Sequence, residues 1–302
     1  MDLNKYQVLI EVVDRGGFNQ ACDALGYTRS ALSKMMNSLE DEVGFSLITR
    51  TNRGVRLTPE GQRVLPRIRK LLLMNEALEE QFSQICGIER GKVRIGSFPT
   101  ICASWLPDVV SAFHLKYPKL EIEITEENSF EELETWLRQG IIDVAIFSRQ
   151  DYHEFEWILE EDEPFVVLMR EDHPLAEKER LTEEDLQESQ LIMYKFLGKY
   201  DSDVTRFLKL LHYEKKVFFE SNSVMAINRI LESSDLIALQ PLGIARRTCS
   251  ANHLTYREVD VEGLIRHIGM AVRSKKELSP SVRKFTEFCN ENLSLIESGD
   301  RP

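Results

Sequence analysis

The chain has 302 residues, 42% hydrophobic and 29% charged, which suits a water-soluble protein with room for two or three domains. No apolar run approaches the ~18 residues of a membrane span, and the N-terminus lacks the basic and small-residue pattern of a signal peptide. Its net charge of −12 excludes a uniformly basic nucleic-acid binder, and its five scattered cysteines (22, 86, 102, 249, 289) are expected to be reduced thiols of a cytoplasmic protein.

The charge is unevenly spread. Residues 1–70 hold 11 Lys+Arg against 8 Asp+Glu, a balance of +3, so the remainder carries −15. From Arg50 to Lys70 there are seven cations and one acid. A basic head on an acidic body can grip phosphate locally.

In chain order, Leu3, Tyr6, Leu9, Ile10 and Val13 repeat at helical spacing, and Gly16-Gly17 ends that helix. Asn19 is placed to cap a second helix over 20–25, and Thr28 a third over 29–41. In the third, Ala31, Leu32, Met35, Met36 and Leu39 form an apolar stripe, and Arg29, Ser30, Ser33, Lys34 and Asn37 a polar one. Cations, hydroxyls and an amide without an acid suit phosphates and base edges, so the pair reads as a DNA-binding helix-turn-helix.

Two apolar segments, Leu47-Ile48 and Val55 to Leu57, flank the turn residues Thr51 to Gly54, a hairpin "wing" with Arg50, Arg53 and Arg56 around its tip. Thr58-Pro59 opens a long helix ending near Gly87. Along it Val64, Ile68, Leu71, Asn75, Leu78, Phe82 and Ile85 alternate spacings of four and three, a heptad seam suited to a second copy. Pro66 is expected to bend it.

From Lys92 strands and helices alternate. Strands are expected at 93–96, 120–124, 142–147, 164–170, 191–194, 217–219, 236–239, 254–259 and 266–272. Helices are expected up to Tyr117, then at 129–139, 183–186, 201–211, 224–231 and 280–295. Such alternation implies a parallel α/β sheet. The acidic runs, including Glu160 to Glu163, are expected on solvated surface.

Residues 18–61 resemble the N-terminal winged helix-turn-helix of LysR-type transcriptional regulators. Phe18, Ala21, Leu25, Ala31, Ser33, Leu39-Glu40, Gly44, Leu47, Arg50, Arg53, Leu57-Thr58 and Gly61 follow the family pattern at the family's spacing. The segments GKVRIGSFPT, GIIDVAIF and LIALQP extend the likeness over nearly the whole chain. The resemblance implies an α/β fold class: a winged helix-turn-helix over 1–58, a linker and dimerisation helix over 59–87, and an effector domain over 92–302 like a type 2 periplasmic binding protein. Lobe one would be 92–162 with 266–302, and lobe two 163–265. It further implies promoter DNA as partner, a small-molecule effector between the lobes, and a homodimer or homotetramer.

The DNA-facing candidates are Asn19, Gln20, Thr28, Arg29, Ser30, Ser33, Lys34, Asn37, Arg50 and Arg53. Arg29 departs from the family's common Gln and suits a bidentate contact to guanine. Ser234-Asp235-Leu236 replaces a common Gly-x-Gly, which alters a turn beside the cleft. The cleft candidates are Ser97, Phe98, Thr100, Ser129, Phe147, Ser148, Tyr194, Ser221 and Asn222. At helix starts, Thr100 and Ser129 are placed to receive an anion, although Glu126 and Glu127 lie close by. No G-x-S-x-G, H-E-x-x-H, C-x-x-C or phosphate-cradling loop occurs, and the six histidines form no ligand cluster. No cofactor, metal or catalytic site is therefore expected. Two alternatives stand beside the effector-responsive regulator: a thiol-based redox sensor, and an enzyme or binding protein on the C-terminal fold.

Overall fold

The computed structural model describes residues 2–51, 54–87, 89–149, 154–195, 203–213, 217, 219–249 and 253–292. The chain forms two compact units, 1–88 and 89–302. Arg53 lies outside the described residues.

The first unit begins with α1 (Leu3–Asp14), α2 (Phe18–Leu25) and α3 (Arg29–Val43). Asp2 caps α1 and Thr28 caps α3, its hydroxyl accepting from Ala31 N at 3.3 Å. Asn19 is not a cap: α2 begins at Phe18 with Gly17 at the capping position and no side-chain bond. Burying the Phe18 ring in the core draws the helix start forward. Gly26 and Gly44 end α2 and α3 in the left-handed region. Leu9, Val12, Ala21, Leu32, Met36 and Leu39 fill the core between the helices.

The wing pairs β1 (Ile48–Thr51) antiparallel with β2 (Gly54–Leu57). The long helix α4 (Pro59–Ile85) then runs 27 residues, ~40 Å at 1.5 Å per residue, and continues through Pro66. Of the expected seam, Ile68 is buried against the head, whereas Leu71, Leu78, Phe82 and Ile85 are exposed, Ile85 to 82%. Asn75 donates to Glu79 one turn on, at 2.9 Å.

The second unit opens with β3 (Gly91–Ser97), α5 (Pro99–Cys102), α6 (Leu106–Lys116), β4 (Leu120–Glu126), α7 (Phe130–Gln139) and β5 (Val144–Ser148). The single helix expected before Tyr117 is thus two, because Trp105 and Leu106 turn inward to the core and break the first. β6 (Glu156–Arg170) follows, then β7 (Arg180–Leu181), α8 (Glu183–Glu188), β8 (Gln190–Tyr194), α9 (Asp203–Leu210), β9 (Phe219–Ser221) and α10 (Val224–Leu231). The chain continues through β10 (Leu236–Pro241), α11 (Leu242–Cys249), β11 (Leu254–Val259), β12 (Ile265–Val272) and α12 (Pro280–Glu291). Helix α11 was not expected from the sequence.

The sheet order is β4-β3-β5-β12-β6-β10-β8-β9, with β11 also on β6. Its outer parts are parallel (β4-β3-β5 and β10-β8-β9), but β12 and β6 are antiparallel to their neighbours. The parallel α/β reading holds in the two outer parts and gives way to antiparallel pairing at the centre, where strands cross between lobes. β6 pairs with β12 over Glu156 to Pro164 and with β10 over Phe165 to Leu168. One strand thus serves both lobes. The strand expected at 164–170 is twice that length, and the acidic run 160–163 lies inside it. Lobe one is built on Val93, Ile95, Phe98, Phe113, Phe147 and Phe285. Lobe two has a core on each sheet face, around Phe207 and Leu239 on one and Ile227 and Leu254 on the other.

Candidate nucleic-acid interface and interlobe cleft

Helix α3 places its polar stripe outward. Arg29, Ser30, Lys34 and Asn37 are exposed and Ser33 half-buried. Arg29 and Lys34 make no hydrogen bond or ion pair with the described residues, so both cations remain available to phosphate or base edges. Ser30 Oγ lies 3.1 Å from Thr28 Oγ1. Asn19 and Gln20 are exposed in the first turn of α2.

Arg50 behaves differently. Its Nη2 donates to Ser33 Oγ at 3.0 Å and to Asn37 Oδ1 at 3.1 Å. Its guanidinium lies 4.8 Å from the centre of the buried Phe18 ring. The wing is therefore clamped onto the polar stripe through a stacked cation.

Further contacts fix the wing. Glu40 Oε1 accepts from Leu47 N at 2.6 Å and Ile48 N at 3.1 Å, tying α3 to β1. Val55 N donates to Gly16 O at 3.0 Å. A Cβ on Gly61 would stand 2.2 Å from Leu47 O, and one on Gly54 2.3 Å from Gly16 O, so glycine is required at both close approaches. Arg69 of α4, buried, donates to Asp14 Oδ2 at 2.9 Å.

In the second unit, the cleft candidates divide. Phe98 and Phe147 do not line it: both are closed into the lobe-one core, Phe98 edge-on to Phe130 at 4.7 Å. They sit at strand ends facing inward, so apolar packing claims them. Ser97, fully buried, donates to Ile146 O at 3.1 Å. Ser129 caps α7 through Glu132 N and donates to Glu131 Oε2 at 2.9 Å. Glu127 Oε1 accepts from the backbone N–H of Asn128 and Ser129 at 2.7 and 2.9 Å. That helix start is thus served by the chain's own carboxylates. Ser221 accepts from Ser223 N at 3.1 Å, and Ser223, not Ser221 or Asn222, caps α10.

Ser148 and Tyr194 do bond across the lobes, and Thr100 lines one small cavity with Tyr194. The Tyr194 hydroxyl donates to Asn128 Oδ1 at 2.6 Å, and Ser148 donates to the buried Asp203 at 2.6 Å. Burial and then the nearby Glu126 push the Tyr194 hydroxyl pKa up, so it stays protonated as a donor. Thr100 Oγ1 accepts from Arg266 Nη1 at 3.0 Å. Arg266, 1% exposed, pairs with Glu163 at 2.5 and 2.7 Å, and Glu163 Oε1 accepts from Gly243 N at 3.3 Å. Glu163 was expected in solvent; it is the counter-ion of a buried arginine. Thr100, Phe165, Tyr194, Gln240 and Arg266 surround a cavity of about 10 Å³, room for one water at most. The space between these residues is closed in this arrangement.

Arg266, Glu163, Asp203, Asn128 and Gln240 were missed by sequence reasoning. An Arg between apolar residues of a strand was the only signal available. Burial pushes the thiols of Cys102 and Cys289 up to about 12, and that of Cys249 to about 11. Among the described residues no group of His, Cys, Asp and Glu could hold a metal, and no helix is long and apolar enough to cross a membrane.

A winged helix with two uncommitted cations on its recognition face, followed by a two-lobed α/β module, defines a DNA-binding transcriptional regulator with a ligand module. Residues 3–62 match the family model described as a bacterial regulatory helix-turn-helix protein of the lysR family, and residues 87–294 that of the LysR substrate binding domain. The chain belongs to the LysR-type transcriptional regulators, which are not enzymes, and carries their effector-binding domain. It is 31% identical over 293 residues to the uncharacterized HTH-type regulator YvbU of Bacillus subtilis, covering 96% of this chain and 98% of that one. It is 29% identical over 194 residues to the dual regulator OxyR of Escherichia coli, covering 64% of this chain and 63% of that one. In fold it resembles a full-length, cysteine-substituted OxyR from Pseudomonas aeruginosa, with a TM-score of 0.72, 22% identity, and 95% and 94% of the chains covered. It also resembles CbnR solved with its target DNA, with a TM-score of 0.65, 17% identity, and 96% and 99% covered.

Proposed function

We propose that this regulator binds promoter DNA in the cytoplasm as a homo-oligomer and responds to a small molecule taken up between its lobes. Residues 1–58 are the DNA-binding head, 59–87 the dimerisation helix and 92–302 the effector domain, with lobe one at 92–162 and 266–302 and lobe two at 163–265. The observation that carries the DNA reading is the pair of uncommitted cations, Arg29 and Lys34, on the exposed face of a capped helix. Thr28, Ser30, Asn19, Gln20, Ser33, Asn37, Arg50 and Arg53 complete the contact set. The exposed apolar stripe Leu71, Leu78, Phe82 and Ile85 supports pairing of α4 with a second copy, and of dimers into a tetramer.

In the effector domain, Thr100, Ser148 and Tyr194 belong to the ligand-responsive surface, with Ser97, Ser129, Ser221 and Asn222 around it. A ligand wedged beside Arg266 and Gln240 requires the Tyr194–Asn128 and Ser148–Asp203 bonds to give way. It therefore favours an opened arrangement over the closed one, a population shift rather than a pushed lever. Burial pushes the thiol pKa up at Cys102, Cys249 and Cys289, which disfavours a thiolate switch at those three positions.

The test is fluorescence anisotropy of the full chain on promoter fragments of the genes flanking its own. Tight, salt-sensitive binding to one of them is expected, weakened by Arg29→Ala and Lys34→Ala. Unchanged affinity in both variants would overturn the assignment of the recognition helix. A thermal-shift screen of small metabolites on the same protein identifies the effector.

A further inference from the structure

We propose that Arg50 of the wing sets the base preference of α3. It turns the Asn37 carboxamide so that the residue meets DNA as a hydrogen-bond donor and selects guanine over adenine. This rests on the reading of α3 as the recognition helix.

The orientation follows from the chemistry of the partner. A guanidinium has five N–H groups and no acceptor. Whatever faces Arg50 at 3.1 Å must be the Asn37 oxygen, which leaves the Asn37 NH₂ on the free side of the amide. Ser33, one turn earlier on the same face, also gives its oxygen to Arg50, at 3.0 Å, and keeps its hydroxyl hydrogen. The clamp is held from behind by the buried Phe18 ring at 4.8 Å, so Arg50 is braced against the core of the head.

An asparagine that reads adenine uses both amide atoms, accepting from N6 and donating to N7. With its oxygen engaged by the wing, Asn37 presents its NH₂ on the free side of the amide, and the paired accept-and-donate geometry that reads adenine is disfavoured. Guanine presents two adjacent acceptors, N7 and O6, in the major groove. Arg29 and Lys34, the uncommitted cations of the same helix, are donors only. The face presented by Arg29, Lys34 and Asn37 is therefore matched to acceptor-rich edges. Arg50 acts here as a positioning residue: both bonds leave its one Nη2, whose two in-plane hydrogens are aimed by a guanidinium seated on the Phe18 ring, whereas a lysine ammonium at this place is a rotatable point charge without that fixed plane.

The experiment selects binding sites from a randomised duplex library with the full-length chain and sequences the bound pool. Asn37→Ala identifies the position that Asn37 reads. In the parent chain, guanine is favoured there over adenine by roughly five-fold or more, as expected of one specific base contact. Arg50→Ala and Arg50→Lys move that one position toward adenine and leave the Arg29-dependent position unchanged. Thermal melts verify that each variant is folded, and Arg50→Lys, which keeps the cation, carries the test should Arg50→Ala unfold the head. A parent preference for adenine, or an equal loss on all sequences in Arg50→Lys, overturns the proposal. So does an Asn37→Ala pool identical to the parent's while Arg29→Ala erases a position, although the recognition-helix reading then stands. If neither Asn37→Ala, Arg29→Ala nor Lys34→Ala alters any position, that reading falls as well.

Discussion

Glu163 and Arg266 form a buried ion pair where β6 and β12 cross from one lobe to the other, and each of the two carries a second bond, Glu163 from Gly243 N and Arg266 to Thr100. Removing one partner strands the other's charge. Glu163→Ala alone is expected to destabilise the effector domain by about 3–5 kcal/mol, whereas the paired change Glu163→Leu with Arg266→Met costs much less. Thermal and urea unfolding of the three proteins decide it. Equal destabilisation in both variants would show that packing, not charge, dominates the site.

On the head, Gly61→Ala drives a methyl into the Leu47 carbonyl. The wing or the start of α4 must shift, at a cost on the order of 1–3 kcal/mol. Reduced DNA affinity should accompany the drop in melting temperature. Gly44→Ala meets no atom and is strained only through its positive φ, so it is the milder variant.

Arg29 and Lys34 are expected to separate in kind. Arg29→Ala relaxes the preference at one base position, by about 1–3 kcal/mol. Lys34→Ala weakens all sequences alike and lowers the slope of log affinity against log salt by about 0.9 for each phosphate it no longer neutralises. Titrations at several salt concentrations on matched and mutated sites distinguish the two.

An aspartate at Phe82, in the exposed stripe of α4, should disperse any assembly that uses it. Sedimentation of the parent chain and of Phe82→Asp at micromolar concentration provides the check. Identical sedimentation in the two would remove α4 from the interface.

Cysteine chemistry gives a pH prediction. The folded-state pKa values of Cys102 and Cys249, about 12 and about 11, lie above the ordinary thiol value. At pH 7 both are therefore held as thiols. Alkylation of both should be slow at neutral pH and rise toward pH 11, while the exposed Cys86 reacts first. Mass spectrometry after brief iodoacetamide treatment reads the order. Rapid labelling of Cys102 at pH 7 would revive the redox alternative.

The head was legible because its signals are local. Thr28 and Thr58 cap helices within three residues of themselves, and the stripes of α3 are set by a 3.6-residue period. Asn19 misled because a cap preference is worth about 1 kcal/mol, less than burying the Phe18 ring. The family motif marked Glu40 and Arg50 without saying what they hold, since their partners lie 7 to 17 residues away.

The cleft was less legible for the same reason. Glu163 and Arg266 are 103 residues apart, and Tyr194 and Asn128 are 66 apart. Nothing in the run Glu160 to Glu163 distinguishes its last acid from its solvated neighbours until β12 is laid beside it. Phe98 and Phe147 were placed correctly at strand ends but on the wrong side, because alternation alone does not say which face of a strand looks into a cleft.

The passage of β6 through both lobes has a mechanical meaning. A change in the angle between the lobes has no loop to absorb it on this strand and must be taken as twist around Pro164 and Phe165, the residues where pairing passes from β12 to β10. Strands β4 and β9 close the two ends of the sheet, farthest from that pivot. A rotation too small to see at the pivot sweeps its longest arc at those edges, so the rim of the sheet, and not the cleft itself, is where the movement is largest and where a neighbouring molecule would feel it.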